Sequence, residues 1–120
     1  MRAIEVAGRW TLRFTDSSEA WVTLGAACRV AYRTRDALVA YERALQIEER
    51  ADAALAAGHL YRLRGDHKNA GARFARAYAA GAGPDALREN ARALAAAGDQ
   101  AAAAEAIRLW ERETGRGWTE

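Results

Sequence analysis

Cys28, His59 and His67 are the side chains of this 120-residue chain that could act as nucleophile, base or soft metal ligand. A thiol becomes a nucleophile only in an accessible, electropositive setting. Zinc needs Cys, Asp or Glu partners at ligand spacing, which neither His59 nor His67 has. The chain carries no phosphate-binding loop, no Gly-x-Ser-x-Gly and no carboxylate pair placed for acid-base work. It is therefore read as non-enzymatic, without metal or cofactor. What remains is recognition chemistry, and the residues best suited to it are cations. Arg29 and Arg62 lie 33 residues apart, with His59 just before Arg62 and Arg88 and Arg92 further along the chain. Guanidinium forks match carboxylates.

The offset of 33 is general. Gly25 returns as Gly58 and Ala91, Ala37 as Ala70 and Ala103, Tyr41 as Phe74 and Ile107, Ala20 as Ala53 and Ala86. Three units, 18–50, 51–83 and 84–116, cover most of the chain. Such a period means supersecondary units stacked side by side, each unable to bury its apolar face alone. Residues 33 apart then point the same way from adjacent units.

Each unit reads as helix-turn-helix. Asp16 followed by Glu19 is expected to open a helix to about Tyr32, with Thr34 capping a second that ends near Glu49. The next runs from about Ala51 to Arg64, stops at Gly65, and Asp66 caps its successor; Gly98 and Asp99 repeat that punctuation. Pro84 follows the flexible Gly81-Ala82-Gly83 step, at a first turn where its missing N–H does no harm. Thr114-Gly115-Arg116-Gly117 closes the last helix, with Trp118 beyond it. Residues 1–17 form an N-terminal extension. Ile4, Val6, Trp10, Leu12 and Phe14 alternate at period two, as in a β-hairpin turning at Ala7-Gly8-Arg9, while Trp10 and Phe14, four apart, also suit a helix. A hairpin is marginal alone, so this segment is expected to pack around Trp21 or to offer a strand edge to a partner.

A net charge of +2 with 28% charged residues of both signs does not by itself suggest nucleic acid. One cysteine permits no internal disulfide and fits a reducing compartment. No apolar run reaches the length of a signal peptide or a membrane span. A cytoplasmic protein is expected, and a bacterial one, since Lys68 is the only lysine beside abundant Arg and Ala.

The pattern resembles the tetratricopeptide repeat (TPR) family. Its first large residue falls on Trp21, Ala54 and Leu87, and its next pair on Leu24-Gly25, Ala57-Gly58 and Asn90-Ala91. Its tyrosine place falls on Cys28, Tyr61 and Leu94, which makes Cys28 an inward thiol. The second helix holds Ala37-Tyr41-Ala44, Ala70-Phe74-Ala77 and Ala103-Ile107-Trp110. Close crossing of Gly25 on Ala37 and Gly58 on Ala70 is expected, with Tyr41 and Phe74 between units. Departures are the spacing, one short of the family norm, and Trp110 at a small-residue place. Trp110 and Trp118 are expected to cover the end of the stack. Ankyrin repeats share the period, but their Thr-Pro-Leu-His signature is absent.

The resemblance implies an all-α TPR-like helical solenoid of six main helices with a concave wall built from the first helix of each unit. Its wall positions are Val22, Ala26, Arg29, Leu55, Ala56, His59, Arg62, Arg88, Glu89 and Arg92. Of these, Arg29, Leu55, His59, Arg62, Arg88 and Arg92 are the expected partner-binding residues. Together they describe a basic groove for an acidic extended or helical segment of another protein, as in an adaptor or small chaperone. The Lys/Asn clamp of members that grip chaperone C-termini is not matched at Val22, Ala26, Ala56, Asp85 and Glu89. The alternative is a structural subunit of a homo- or hetero-oligomeric assembly, contacting neighbours through its N-terminal hairpin and stack ends. Nucleic-acid binding ranks below both, because interleaved aromatics are lacking.

Overall fold

A computed structural model describes residues 4, 5, 8, 9 and 16–119. Six main helices follow one another among them: α1 Ser18–Val30, α2 Thr34–Ile47, α3 Ala51–Leu63, α4 His67–Ala79, α5 Pro84–Ala96 and α6 Gln100–Thr114. They pair as α1 with α2, α3 with α4 and α5 with α6, and the pairs stack into a body of 46 × 25 × 19 Å. The radius of gyration, 15.3 Å, exceeds the roughly 13.6 Å of a compact domain of this length. Stacking along one axis accounts for the difference.

One turn recurs within the three units. Arg33, Asp66 and Asp99 each donate a backbone N–H to Cys28, Tyr61 and Leu94 carbonyls, at 2.8, 2.9 and 2.9 Å. That is the six-to-one bond of a Schellman ending, which needs one left-handed residue. Gly65 and Gly98 supply it with φ of 77° and 89°, but unit 1 places Tyr32 there at φ 61°, 92% exposed. A side chain costs about 1–2 kcal/mol in that region. Tyr32→Gly removes this cost but gives some back as added freedom of the unfolded chain. A net gain of about 0.5 kcal/mol is expected in a urea titration; a loss of stability instead means that the Tyr32 ring makes a stabilising contact.

Asp66 and Asp99 cap as expected, accepting from the N–H of Asn69 at 3.2 Å and Ala102 at 3.1 Å. Two caps differ. Ser17, not Asp16, accepts from Ala20 N–H, and Thr34 is already helical, with Arg33 at the N-cap position making no side-chain cap bond. Arg33 ends the turn as Asp66 and Asp99 do in the later units, but a guanidinium has no acceptor to offer the first N–H groups of α2, so the cap bond is missing there. The helix ends also move in: α1 stops at Val30, α2 at Ile47 and α3 at Leu63.

In the extension, Ile4, Glu5, Gly8 and Arg9 are helical, so Gly8 and Arg9 do not form a hairpin turn. A helix satisfies its own backbone, whereas a lone two-stranded hairpin leaves edges open. Ile4 lies against the core of the first two units. The other residues of the hairpin reading, Val6, Trp10, Leu12 and Phe14, lie outside the described set.

Within each of the first two units a glycine makes room for a ring. A Cβ on Gly25 falls 2.8 Å from Tyr41, and one on Gly58 falls 2.8 Å from Phe74. The glycines thus clear space for the aromatic side chains themselves, in addition to the close approach at Ala37 and Ala70, which are fully buried. Unit 3 reverses the sizes, with buried Ala91 and the smaller Ile107. Between units 2 and 3, buried Asn90 donates Nδ2–H to the Gly71 carbonyl at 2.7 Å. Units 1 and 2 share one buried apolar cluster that includes Tyr41, Leu45, Ala54 and Leu60, and ion pairs also cross between them: Arg73 grips Glu42 through two bonds of 2.6 Å, and Arg76 reaches Glu49 at 2.5 Å.

Candidate protein-binding groove

The first helices of units 1 and 2 face each other across a cleft of about 420 Å³. Val22, Ala26 and Arg29 come from α1; Asp52, Leu55, Ala56 and His59 come from α3; Tyr41 of α2 closes the floor. The small residues leave the volume and the helical spacing of 22, 26 and 29 holds one face open. Arg29, Leu55 and His59 are thus brought together as the wall positions implied.

The charges are arranged differently from a uniformly basic groove. Asp52 faces into the cleft, held below its ordinary pKa by a two-bond fork from Arg50, at 3.0 and 2.9 Å. His59 stacks edge-on against Phe74 at 5.0 Å, and its Nδ1 accepts from Arg62 Nη2 at 3.0 Å. Burial, with the Arg62 cation beside it, lowers its pKa, so at neutral pH it is an uncharged acceptor. Arg62 also binds Glu89, which accepts from Arg92 at 3.3 Å, so these two arginines share one carboxylate. Arg88 leaves the wall altogether. Its guanidinium lies 5.7 Å from the Trp110 ring and 5.6 Å from the Trp118 ring. Arg29 makes no ion pair among the described residues and is the free cation of the cleft.

Residue types along one helix could not show these pairings, because Arg62 and Glu89 meet from adjacent units. Tyr41 and Asp52 are the cleft residues missing from the expected wall. Tyr41, expected only to pack between units, serves both roles. Cys28 is 3% exposed, and burial raises its pKa and disfavours the thiolate. Among the described residues no cluster of His, Cys, Asp and Glu could hold a metal, and no helix is long and apolar enough to cross a membrane.

No protein-family model and no curated protein sequence matches the chain. Solved structures do. MamA superposes over 93% of this chain and 62% of its own, with TM-score 0.81 and 22% identity. YrrB, a TPR protein with an unusual peptide-binding site, covers 94% of this chain and 59% of its own at TM-score 0.73 and 18% identity. TTC0263, a thermophilic TPR protein of Thermus thermophilus, covers 95% and 65% at TM-score 0.67 and 19% identity. This chain spans about three fifths of the length of MamA and YrrB. The agreement of helix order, turn geometry and these superpositions establishes that the chain has the tetratricopeptide-repeat fold.

Proposed function

We propose that the chain is a non-catalytic protein-interaction module whose groove holds an extended or helical segment of a partner. The observation that carries this reading is the α1–α3 cleft, an apolar floor beside a guanidinium that has no ion pair within the described chain. The acidic character of the guest narrows accordingly. With His59 neutral, Arg88 stacked on indoles and Arg62 and Arg92 sharing Glu89, the groove asks for one carboxylate at Arg29 next to an apolar side chain. The resemblance in fold to YrrB, which has a peptide-binding site, supports the same use of the scaffold.

Selection of short peptides from a random display library tests the reading. Peptides retained by the native chain should be lost with Ala26→Trp, which fills the cleft. They should weaken about tenfold, about 1.4 kcal/mol, with Arg29→Glu. They should be kept by the remote control Lys68→Glu. Peptides that survive Ala26→Trp unchanged bind elsewhere and sink the groove assignment.

A further inference from the structure

A second cleft, of about 400 Å³, opens between α2 and α3 on the side of α3 turned away from the groove. The two junctions between units differ where their helices approach. At the junction of units 2 and 3, Gly71 lets α5 close in, with Ala93 and Leu94 at ordinary contact of 3.5 Å from its would-be Cβ. The equivalent residue at the first junction, 33 positions earlier, is the bulkier Leu38, which is buried. Leu38 and Tyr61 line the cleft, with Val39 62% exposed beside them.

The rim is cationic. Arg35, Val39 and Arg43 follow at intervals of four on α2, so an apolar side chain stands between two guanidinium groups, and Arg64 faces them from the end of α3. Glu42, the carboxylate of the lining, is taken by the two bonds from Arg73. Asp66, near Arg64 in sequence, caps α4. Arg43 donates to neutral Gln46 at 3.0 Å. Arg35, Arg43 and Arg64 therefore make no ion pair among the described residues. The matching residue of Arg43 in unit 2, Arg76, is neutralised by Glu49.

We propose that this cleft is a second docking site, for an acidic segment of a partner protein that lays an apolar side chain over Val39 and Tyr61 and sets carboxylates against Arg35, Arg43 and Arg64. Two turns of helix separate Arg35 from Arg43 by roughly 12 Å. An extended guest spans that distance in roughly three to four residues. A nucleic-acid backbone matches the charge but brings no apolar side chain for the floor.

The probe is a pool of short fluorescein-labelled peptides carrying Leu between two Glu spaced roughly three to four residues apart, with matched Gln peptides. Binding to the full chain is followed by anisotropy. Glu peptides should bind saturably, and about tenfold or more weaker after Glu-to-Gln replacement or with the Arg35→Glu, Arg43→Glu double variant. With the α1–α3 groove filled by Ala26→Trp so that it takes no peptide, Val39→Glu should abolish binding and Arg29→Glu should leave it unchanged. Helical circular dichroism establishes that each variant is folded. The proposal is overturned if no Glu peptide saturates, if Gln peptides bind equally, if Arg29→Glu rather than the α2 variants removes binding, or if a duplex oligonucleotide binds the same site more tightly than any peptide.

Discussion

Phe74→Ala is expected to lower the unfolding free energy by about 3–5 kcal/mol, a large part of the roughly 5–15 kcal/mol of an ordinary domain. The ring is 0% exposed and touches two neighbouring helices: it covers Gly58 and supports His59 edge-on, both of α3, and meets Ala93 of α5. No single neighbour can collapse into the space, because each is fixed from another side. The same contact makes Gly58→Ala costly in the opposite sense. A methyl 2.8 Å from the buried ring must displace it, at about 1–3 kcal/mol before the helix-propensity gain of about 1 kcal/mol is set against it. Unit 3 shows how the clash is relieved, since Ala91 there faces a unit whose aromatic place holds Ile107. Gly58→Ala combined with Phe74→Ile should therefore cost less than the sum of the two single changes, by about 0.5 kcal/mol or more. Additive single-mutant energies from urea titrations would falsify the size-exchange argument.

Much of the fold is legible in the sequence because its determinants are local. Gly65-Asp66 and Gly98-Asp99 specify a turn and a cap within a few residues, and the structure has both. The first turn lacks the signal: Tyr32 occupies the glycine place, and only the surrounding backbone bonds hold it left-handed. Period alone could not decide the extension, where Trp10 and Phe14, four apart, suit a helix while the apolar alternation suits a strand. The site is legible in position and not in charge. Arg29, Leu55 and His59 fall together because the repeat fixes which faces align. The pairing of Arg62 and Arg92 with Glu89, and of Arg88 with two indoles, depends on side chains from other units. Likewise Leu38 in place of Gly71 is visible in the sequence. The cleft at one junction and the close packing at the next appear only when both faces are seen.

Trp110→Ala should cost about 3–5 kcal/mol and, unlike Phe74→Ala, should do so from one end. Trp110 is 3% exposed at a place where the repeat elsewhere carries alanine, Ala44 and Ala77. The chain after α6 folds back so that Trp118 meets it edge-on at 5.3 Å, with the Trp118 backbone N–H donating to Glu111 Oε2 at 3.0 Å. Arg88 lies against both rings and donates to the Thr119 carbonyl at 3.4 Å, while its Nε is buried without a hydrogen-bond partner among the described residues. The indole faces compensate that cation, so truncating Trp110 removes packing and cation stabilisation together. In a repeat stack such damage stays near the affected unit, because each unit contacts only its neighbours. Amide exchange in α6 and then α5 should accelerate well before α3 and α4 respond, whereas Phe74→Ala should loosen the middle of the array first. Trp118→Ala, which leaves the buried ring in place, should cost about 1 kcal/mol, the order of an aromatic pair. Uniform acceleration across all units in Trp110→Ala would show that the stack unfolds as one body and that the Trp110–Arg88–Trp118 cluster is no terminal brace.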